Sequence, residues 1–381
     1  MKRSTMRILT THTGSLPRPE DVVIMLNTRE AGELANRSTL EARVREAVAD
    51  CMSQQQQVGI DVMSDGEMGK IAFWTYVKDR LTGFEGDESP PFEWADLRDY
   101  PATSEPLVPI SPPPIRRRPS CNGPITYQGQ RAVEHDIANL REALRSVNPE
   151  DVFLPAASPG VIAMFMQNRY YPNETAYLYA LADAMKQELN AIHQAGFLLQ
   201  LDCPDLAAAR HLYFADAPLE TFRAHVSRRI EVLNHAVADI PPDRMRLHLC
   251  WGNYEGPHHR DVPFRDIIDL VLQARVGALS FEAANPRHAH EWQVFEDVSV
   301  PEDMILIPGV VDSTTNFIEH PELIAQRIVQ YAKLVGRERV IAGTDCGFAT
   351  NVNIRQVNPA IAWAKLQAMA EGAQLASQQL W

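Results

Sequence analysis

Short apolar runs recur along this chain, and several of them are followed by longer segments with a helical pattern. Each run is rich in β-prone residues and ends in turn residues, which is typical of a buried strand. The eight runs begin at Ile8, Ile60, Asp151, Phe197, Met245, Gly277, Met304 and Arg339. The pattern therefore predicts eight strands separated by helices.

Two of the intervening segments carry clear helix boundaries. After Asn173, a good N-cap residue, apolar residues recur on one face until Gly196. A second helix opens at Pro321 and ends at Gly336. Strand and helix alternating eight times predict an α/β protein, a (β/α)8 TIM barrel, in which residues 1–381 form one domain.

One segment interrupts the alternation. Residues 83–130 are rich in proline and other loop-forming residues, and this length exceeds a simple connection in a compact domain. We predict a proline-rich insertion between the second and third barrel units, with a short hairpin near Ile125–Tyr127.

Composition excludes several classes of partner. The chain of 381 residues has a formal net charge of −13, which argues against binding nucleic acid or an anionic membrane surface. Five cysteines in so long a chain do not form a disulfide framework. The N-terminus has no apolar run of signal-peptide length, and no stretch is long enough to span a bilayer. We therefore expect a cytoplasmic protein, and the sequence is compatible with a homo-oligomer.

Four residues of metal-ligand type stand at predicted strand ends. His248 and Cys250 are two positions apart, so their side chains lie on the same side of a strand. The next predicted strand ends at Glu282, and the last leads into Cys346. A barrel places its active site at the C-terminal ends of its strands. Two thiolates, one imidazole and one carboxylate suit Zn²⁺.

Each of these residues has an alternative interpretation when taken alone. Free cysteines are most often small buried hydrophobic residues, and a single His-x-Cys pair often arises by chance. The convergence of four ligand types on three strand ends of one fold favours a metal site.

These motifs resemble the catalytic barrel of cobalamin-independent methionine synthase, within the wider family of zinc thiol-alkyltransferases. The resemblance covers most of the chain outside the insertion. It implies that His248, Cys250, Glu282 and Cys346 bind zinc. It also implies that Ser15, in the Thr13–Pro17 segment, binds the amino-acid substrate. The resemblance further implies that Glu67 and Asp202 hold the substrate ammonium. Both carboxylates could instead cap the helices that follow them.

The chain departs from the family at one catalytic position. Methionine synthases have a histidine after the seventh strand where this chain has Thr314, in the stretch Gly309–Asn316. This stretch is more similar to single-barrel relatives, including epoxyalkane:coenzyme M transferase. Asp312 is then the candidate for the acid that protonates the leaving group.

Three functions are compatible with these residues. The resemblance implies zinc-dependent methyl transfer, with 5-methyltetrahydrofolate as candidate donor, to a small thiol such as homocysteine. The first alternative is alkyl transfer to another thiol, as in epoxyalkane:coenzyme M transferase. The second is a zinc hydrolase or a non-catalytic zinc barrel, although hydrolytic zinc sites favour histidine and carboxylate ligands.

Overall fold

Eight parallel strands form a barrel at the centre of the molecule. The computed structural model describes residues 1–34, 36–86, 94–100, 118–354 and 356–381. The barrel strands are β1 (Leu9–Thr10), β2 (Val62–Met63), β5 (Asp151–Ala157), β6 (Leu198–Asp202), β7 (Met245–Leu249), β8 (Ala278–Phe281), β9 (Ile305–Val311) and β10 (Ile341–Thr344). They lie in the order β1-β10-β9-β8-β7-β6-β5-β2, and a parallel bridge between Thr11 and Val62 closes the ring. The predicted TIM barrel and its eight strands are confirmed.

Helices surround this barrel and cover its outer face. They are α1 (Glu20–Glu30), α2 (Arg37–Gln57), α3 (Ala95–Arg98), α4 (Gln130–Ala143), α5 (Pro159–Phe165), α6 (Glu174–Gln194), α7 (Ala209–Tyr213), α8 (Leu219–Ala236), α9 (Ile268–Val271), α10 (Val294–Asp297), α11 (Pro321–Val335) and α12 (Pro359–Leu380). None of the helices in the described ranges is long and apolar enough to cross a bilayer.

The two helix boundaries read from the sequence are confirmed. Asn173 caps α6 by accepting a hydrogen bond from the backbone N–H of Ala176 at 2.9 Å. Gly336 ends α11 with a φ of 91°, a conformation that a residue with a Cβ rarely adopts.

The proline-rich insertion leaves the barrel after β2. Its described parts include α3 and an antiparallel pair, β3 (Phe84–Glu85) with β4 (Ser120–Cys121). Residues near 125–127 also pair, but with residues 81 and 82 across the insertion rather than in a local hairpin. Helix α4, which leads into β5, follows the insertion. Residues 87–93 and 101–117 lie outside the described part of the chain.

Inside the barrel, side chains change from apolar to polar toward the C-terminal ends of the strands. On β6, Leu198, Gln200 and Asp202 share the inner face because residues two apart in a strand point the same way. Leu198 packs with Val62 and Phe153 in an apolar floor. Gln200 belongs to a polar layer above that floor, and Asp202 stands at the rim.

The polar layer is organised around the buried guanidinium of Arg246. Its Nε donates to Gln200 Oε1 at 2.8 Å, Nη1 donates to Thr11 Oγ1 at 2.9 Å, and Nη2 donates to the carbonyl of His12 at 2.6 Å. The guanidinium also lies 3.4 Å from the ring centroid of Phe153. Burial lowers the pKa of Arg246 to about 9. These contacts connect β7, β6 and the end of β1 through the barrel interior.

We expect Arg246→Met to destabilise the protein strongly, because three hydrogen-bonding groups would lose their charged donor. Each hydrogen bond to a charged group contributes about 1.5–3 kcal/mol, so the free energy of unfolding should fall by at least about 3 kcal/mol. Urea unfolding followed by circular dichroism measures this loss. Arg228→Met, at a half-exposed helical position, is the control and should change the free energy by less than about 0.5 kcal/mol. Equal urea midpoints for the two variants would contradict the assigned role.

Candidate metal centre and substrate pocket

The eight residues singled out from the sequence all lie at or just beyond the C-terminal ends of barrel strands. Ser15 and Glu67 follow β1 and β2, Asp202 ends β6, and Glu282 and Asp312 come directly after β8 and β9. His248 and Cys250 stand at the end of β7, and Cys346 follows β10. Asp202 and His248 are also register partners on neighbouring strands. Because all these strands are parallel, the residues share one mouth of the barrel.

Three of the four predicted metal ligands converge. One ligand atom each from His248, Cys250 and Cys346 lies within 4.8 Å of the others, and all three residues are buried. Burial lowers the pKa of His248 to about 3, so its imidazole is neutral. Neither of its ring nitrogens has a hydrogen-bond partner in the described part of the chain. Histidine ligates a metal as a neutral imidazole with one ring nitrogen free, and His248 meets both conditions.

The two thiols add to this fit. The neighbouring Cys346 and burial together raise the pKa of Cys250 well above its usual range. Without a cation, Cys250 would therefore stay protonated, because a thiolate there would be buried beside a second sulfur. Thiolates are the ligands that favour Zn²⁺ among the common divalent metals, so the donor set suits zinc.

Glu282 lies outside this converging group. Its Oε1 accepts a hydrogen bond from the backbone N–H of Trp251 at 2.7 Å, and its Oε2 accepts one from Asn285 Nδ2 at 2.8 Å. Burial raises the pKa of this carboxyl group to about 7. Ligating carboxylates are usually hydrogen-bonded in this way, so the contacts are compatible with a ligand role. That role stays a prediction.

Asp345 positions the loop that carries Glu282, and the sequence analysis did not identify it. Its Oδ1 accepts from the backbone N–H groups of Ala283 and Ala284 at 2.8 Å, and its Oδ2 accepts from the backbone N–H of Asn285 at 2.8 Å. A Cβ at Gly309 would clash with Asp345 Oδ1. Asp345 therefore joins the loop after β8 to the segment that carries Cys346. The only signal in the sequence was its place beside that cysteine.

Glu67 and Asp202 form an acidic pocket beside the metal ligands. Burial, followed by the charge of Glu67, raises the pKa of Asp202 to about 8, against the opposing charge of Lys70. The Oε2 atom of Glu67 is buried and has no hydrogen-bond partner among the described residues. Two buried carboxyl groups, one of them with an oxygen that accepts no hydrogen bond and has only Arg18 Nη2 at 4.0 Å, make a pocket suited to a cation.

The backbone holds Glu67 in an uncommon conformation. Its φ is 57°, in the left-handed region, and Asp65 Oδ1 accepts the Glu67 N–H at 3.0 Å. The guanidinium of Arg18 donates to the Glu67 carbonyl from both Nε and Nη2, at 3.1 and 2.9 Å. Non-glycine residues in this region cluster at binding and catalytic sites, because the surrounding structure must enforce the strain.

Ser15 and Gln200 complete the pocket wall. The carbonyl of Ser15 accepts a hydrogen bond from the N–H of Phe348 at 2.9 Å, and a Cβ at Gly347 would clash with the Ser15 hydroxyl. Ser15 therefore packs against the segment that follows Cys346. Gln200 Nε2 donates to Asp202 Oδ1 at 2.8 Å and also to the carbonyl of Thr13.

Asp312 directs both of its carboxylate oxygens to its own loop. Its Oδ1 accepts from the N–H and the hydroxyl of Thr314, at 2.9 and 2.8 Å, and its Oδ2 accepts from the hydroxyl of Thr315 at 2.6 Å. The residue thus shapes the turn after β9. Its role as a proton donor stays a prediction.

A second buried cluster surrounds Asp261 in the loop after β7. Asp261 Oδ1 lies 2.8 Å from His211 Nδ1, while Oδ2 lies 2.8 Å from His258 Nδ1 and 3.0 Å from His288 Nε2. Glu291 Oε2 lies 2.8 Å from the second ring nitrogen of His288. The sequence showed histidines in these loops but gave no sign that one carboxylate gathers three of them.

Comparison with known proteins agrees with the fold and the motifs. The family model for the catalytic domain of cobalamin-independent synthases matches residues 8–94 and 160–374. Methionine synthase of Thermococcus kodakarensis is 25% identical over 368 residues, covering 96% of this chain and 93% of that protein. Methionine synthase of Saccharolobus solfataricus is 25% identical over 375 residues, covering 97% and 95%.

A solved structure extends the similarity to three dimensions. The B12-independent methionine synthase from Shewanella sp. W3-18-1, in complex with selenomethionine, superposes with a TM-score of 0.73 at 19% identity. The match covers 98% of this chain and 99% of that chain. The family match over most of the chain confirms the resemblance read from the motifs: the chain belongs to the family of cobalamin-independent synthase catalytic domains.

Proposed function

We propose that this protein is a zinc-dependent transferase that moves a methyl group onto the thiol of a small amino thiol such as homocysteine. The observation that carries the proposal is that a thiol-rich ligand group and an acidic pocket share one barrel mouth. The sulfur of an amino-thiol substrate would bind at the thiol-rich ligand group, and its ammonium group would bind in the acidic pocket. The methionine synthases among the relatives support the same reaction class. We propose 5-methyltetrahydrofolate as the methyl donor.

In this proposal His248, Cys250 and Cys346 hold the metal, with Glu282 as the fourth ligand. Bound zinc would supply one effect, lowering the pKa of a substrate thiol so that the thiolate is available at neutral pH. The protein residues supply the rest by fixing where the substrate lies. Asp345 holds the Glu282 loop, and burial of the whole group excludes water.

Glu67 and Asp202 would bind the substrate ammonium. A cation between them would offset both the burial of Asp202 and its repulsion from Glu67, which together raise its pKa. The hydrogen bond from Gln200 fixes the Asp202 carboxylate, and Gln200 is in turn held by Arg246. The ammonium would thus be anchored on a rigid support, which aligns the sulfur for attack.

The alternative acceptor is a sulfonate thiol such as coenzyme M. An anionic group would be repelled by Glu67 and Asp202 and would need a cationic partner at the mouth. Arg18 is the arginine beside this pocket, but it donates to the backbone carbonyls of Glu67 and Ala349. The geometry therefore favours an ammonium-bearing thiol. A hydrolase or a purely structural zinc barrel would leave the acidic pocket without a role.

The first prediction concerns the metal. Purified protein should contain about one zinc per chain by elemental analysis, as a mixed cysteine–histidine site would. We expect Cys250→Ser and Cys346→Ser each to lose most of it, because a serine hydroxyl is a much weaker zinc ligand than a thiolate. Cys121→Ser, which removes a buried thiol outside the group, is the control and should keep its zinc. Full zinc retention in both ligand variants would refute the site.

The second prediction concerns the acceptor. Zinc-loaded protein is titrated calorimetrically with homocysteine and with 4-mercaptobutanoate, which is the same molecule without the ammonium group. Asp202→Asn should weaken homocysteine binding by about 2 kcal/mol or more, because one side of a buried charged contact is lost. Its effect on 4-mercaptobutanoate should be small.

Asp239→Asn, an exposed position after α8, controls for the change of net charge. Tighter binding of coenzyme M than of homocysteine by the wild type would overturn the amino-thiol acceptor but keep the reaction class. Binding of neither thiol to the zinc-loaded protein would remove the class as well.

A further inference from the structure

Methyl transfer from a neutral donor requires an acid, and the residue at position 314 does not supply one. When the carbon–nitrogen bond breaks, the leaving nitrogen keeps the electron pair and must take up a proton. Thr314 stands where the family histidine would be, and its hydroxyl already donates to Asp312. A threonine hydroxyl is a poor proton donor at neutral pH, and both carboxylate oxygens of Asp312 accept hydrogen bonds from its own loop, which makes Asp312 the weaker candidate. Another group at the mouth must therefore provide the proton.

The three histidines around Asp261 are the strongest candidates for this acid, and their hydrogen-bond contacts distinguish one of them from the other two. His288 lies between Glu291 and Asp261, with one ring nitrogen directed to each. His258 contacts Asp261 through Nδ1 and the carbonyl of Tyr254 through Nε2, at 2.8 and 3.0 Å. Both rings are therefore fully engaged and have no nitrogen left for a substrate.

His211 differs from the other two. Its Nδ1 lies 2.8 Å from Asp261 Oδ1, close enough for an ion pair, and its side chain is completely buried. Neither ring nitrogen of His211 makes a hydrogen bond within the described part of the chain, so Nδ1 has only the nearby carboxylate and Nε2 has no partner. A carboxylate beside one ring nitrogen and a vacant second nitrogen is the arrangement of a positioned acid–base histidine.

The cluster adjoins the proposed metal centre. Trp251 follows Cys250 in the chain, and its backbone N–H donates to Glu282. The Trp251 ring stacks on His288 with the ring centroids 4.1 Å apart. One tryptophan thus separates the metal ligands from the histidine cluster. His211 itself lies on α7, which comes soon after Asp202 at the end of β6, so it belongs to the same mouth.

Two of the histidines keep their protons at neutral pH. Burial alone would lower the pKa of His258, but the Asp261 carboxylate outweighs it and raises the pKa to about 9. The pKa of His288 is likewise raised to about 10, by Asp261 and Glu291 against burial. The carboxyl group of Asp261 is correspondingly held well below its usual pKa. The cluster is therefore a charged network in which Asp261 stays ionised and can orient the His211 ring.

The described part of the insertion covers His211. The ring of Trp94 lies 5.0 Å from the His211 ring and 4.2 Å from that of Tyr254, measured between centroids. Asp96 accepts hydrogen bonds from the Tyr254 hydroxyl and from the His258 N–H. These contacts fix α3 over the cluster.

We propose that His211 is the general acid of the transfer, donating the proton on Nε2 to the leaving atom of the alkyl donor. This inference rests on the proposed function. The acceptor sulfur forms a bond to the methyl carbon, the bond from that carbon to nitrogen breaks with its electron pair on nitrogen, and nitrogen takes the proton. His211 is left neutral and regains a proton from solvent after product release. The donor's leaving group therefore lies beside α7, between the loops after β6 and β7.

The test compares donors that need a proton with one that does not. His211→Asn keeps a donor nitrogen near Asp261 but removes Nε2. Transfer from 5-methyltetrahydrofolate to homocysteine should slow about 10²- to 10⁴-fold in this variant, the usual contribution of a general acid. Transfer from methyl iodide, whose iodide leaves without a proton, should change less than about threefold, and so should the Kd for 5-methyltetrahydrofolate. His259→Asn, at the partly exposed rim, is the matched control and should leave every rate unchanged.

The pH profile gives a readout that a purely structural role would not change. With 5-methyltetrahydrofolate the wild-type transfer rate should fall as pH rises, because the acid must be protonated. In the variant the rate should no longer show this decrease. The charged and titratable groups near His211 are retained in the variant. Tyr254, His258 and Asp261 contact its ring, and His288 shares Asp261 with it. Asp96 and Arg98 lie on α3 and Asp205 lies in the turn before α7, and both of these elements pack against α7.

The outcomes separate the two proposals. Equal slowing with both donors, or no slowing with 5-methyltetrahydrofolate, would overturn the role of His211 while leaving the transferase assignment intact. Epoxypropane is a second donor that needs a proton, because ring opening leaves an alkoxide. Wild-type turnover of methyl iodide but of neither protonation-dependent donor would also overturn the role. No alkylation of homocysteine by any donor would refute the proposed function itself.

Discussion

A buried cation in the barrel interior supports the rest of this molecule. Among the described residues Arg246 has no counter-ion within hydrogen-bonding distance. Its three nitrogens donate instead to a carbonyl, a hydroxyl and an amide oxygen from two other strand segments. Such a charge is tolerated only when every donor has a partner in good geometry. Below it the barrel is apolar, and above it stand the carboxylates and the candidate metal ligands. The guanidinium therefore separates an apolar floor from the rim that carries the candidate site.

The strand ends and ligand types could be predicted from the sequence because they follow from local pattern. Each apolar run is short, ends in turn residues and alternates inward and outward with a period of two. His248 and Cys250 therefore had to share a face once the run from Met245 was identified as a strand. Even β1 and β2, each only two residues long in the structure, were found from their flanking apolar residues and turns.

Other features could not be predicted because they depend on how distant loops meet. Asp345 accepts hydrogen bonds from three consecutive backbone amides that lie 60 to 62 positions away in the chain, and no pattern near it signals this. His211 and His288 are 77 positions apart, and only the closed barrel brings both to Asp261. The pairing of residues 125–127 with 81–82 likewise spans the insertion, so a local hairpin was the simpler but incorrect interpretation.

The close contact at Gly309 has a consequence for how this enzyme can diversify. Any larger residue at this position would displace Asp345, and with it the three amides that Asp345 holds. A methyl group added to β9 at position 309 would thus displace the Asp345 carboxylate and, with it, the loop that follows Glu282. The neighbouring stretch 313–316 is held differently, by hydrogen bonds of its side chains: Ser313 donates to Asn253, Thr314 and Thr315 donate to Asp312, and Asn316 accepts from the N–H of Asn358. A substitution there would break one such bond without moving Asp345, so laboratory evolution of donor preference should leave position 309 invariant in every active clone.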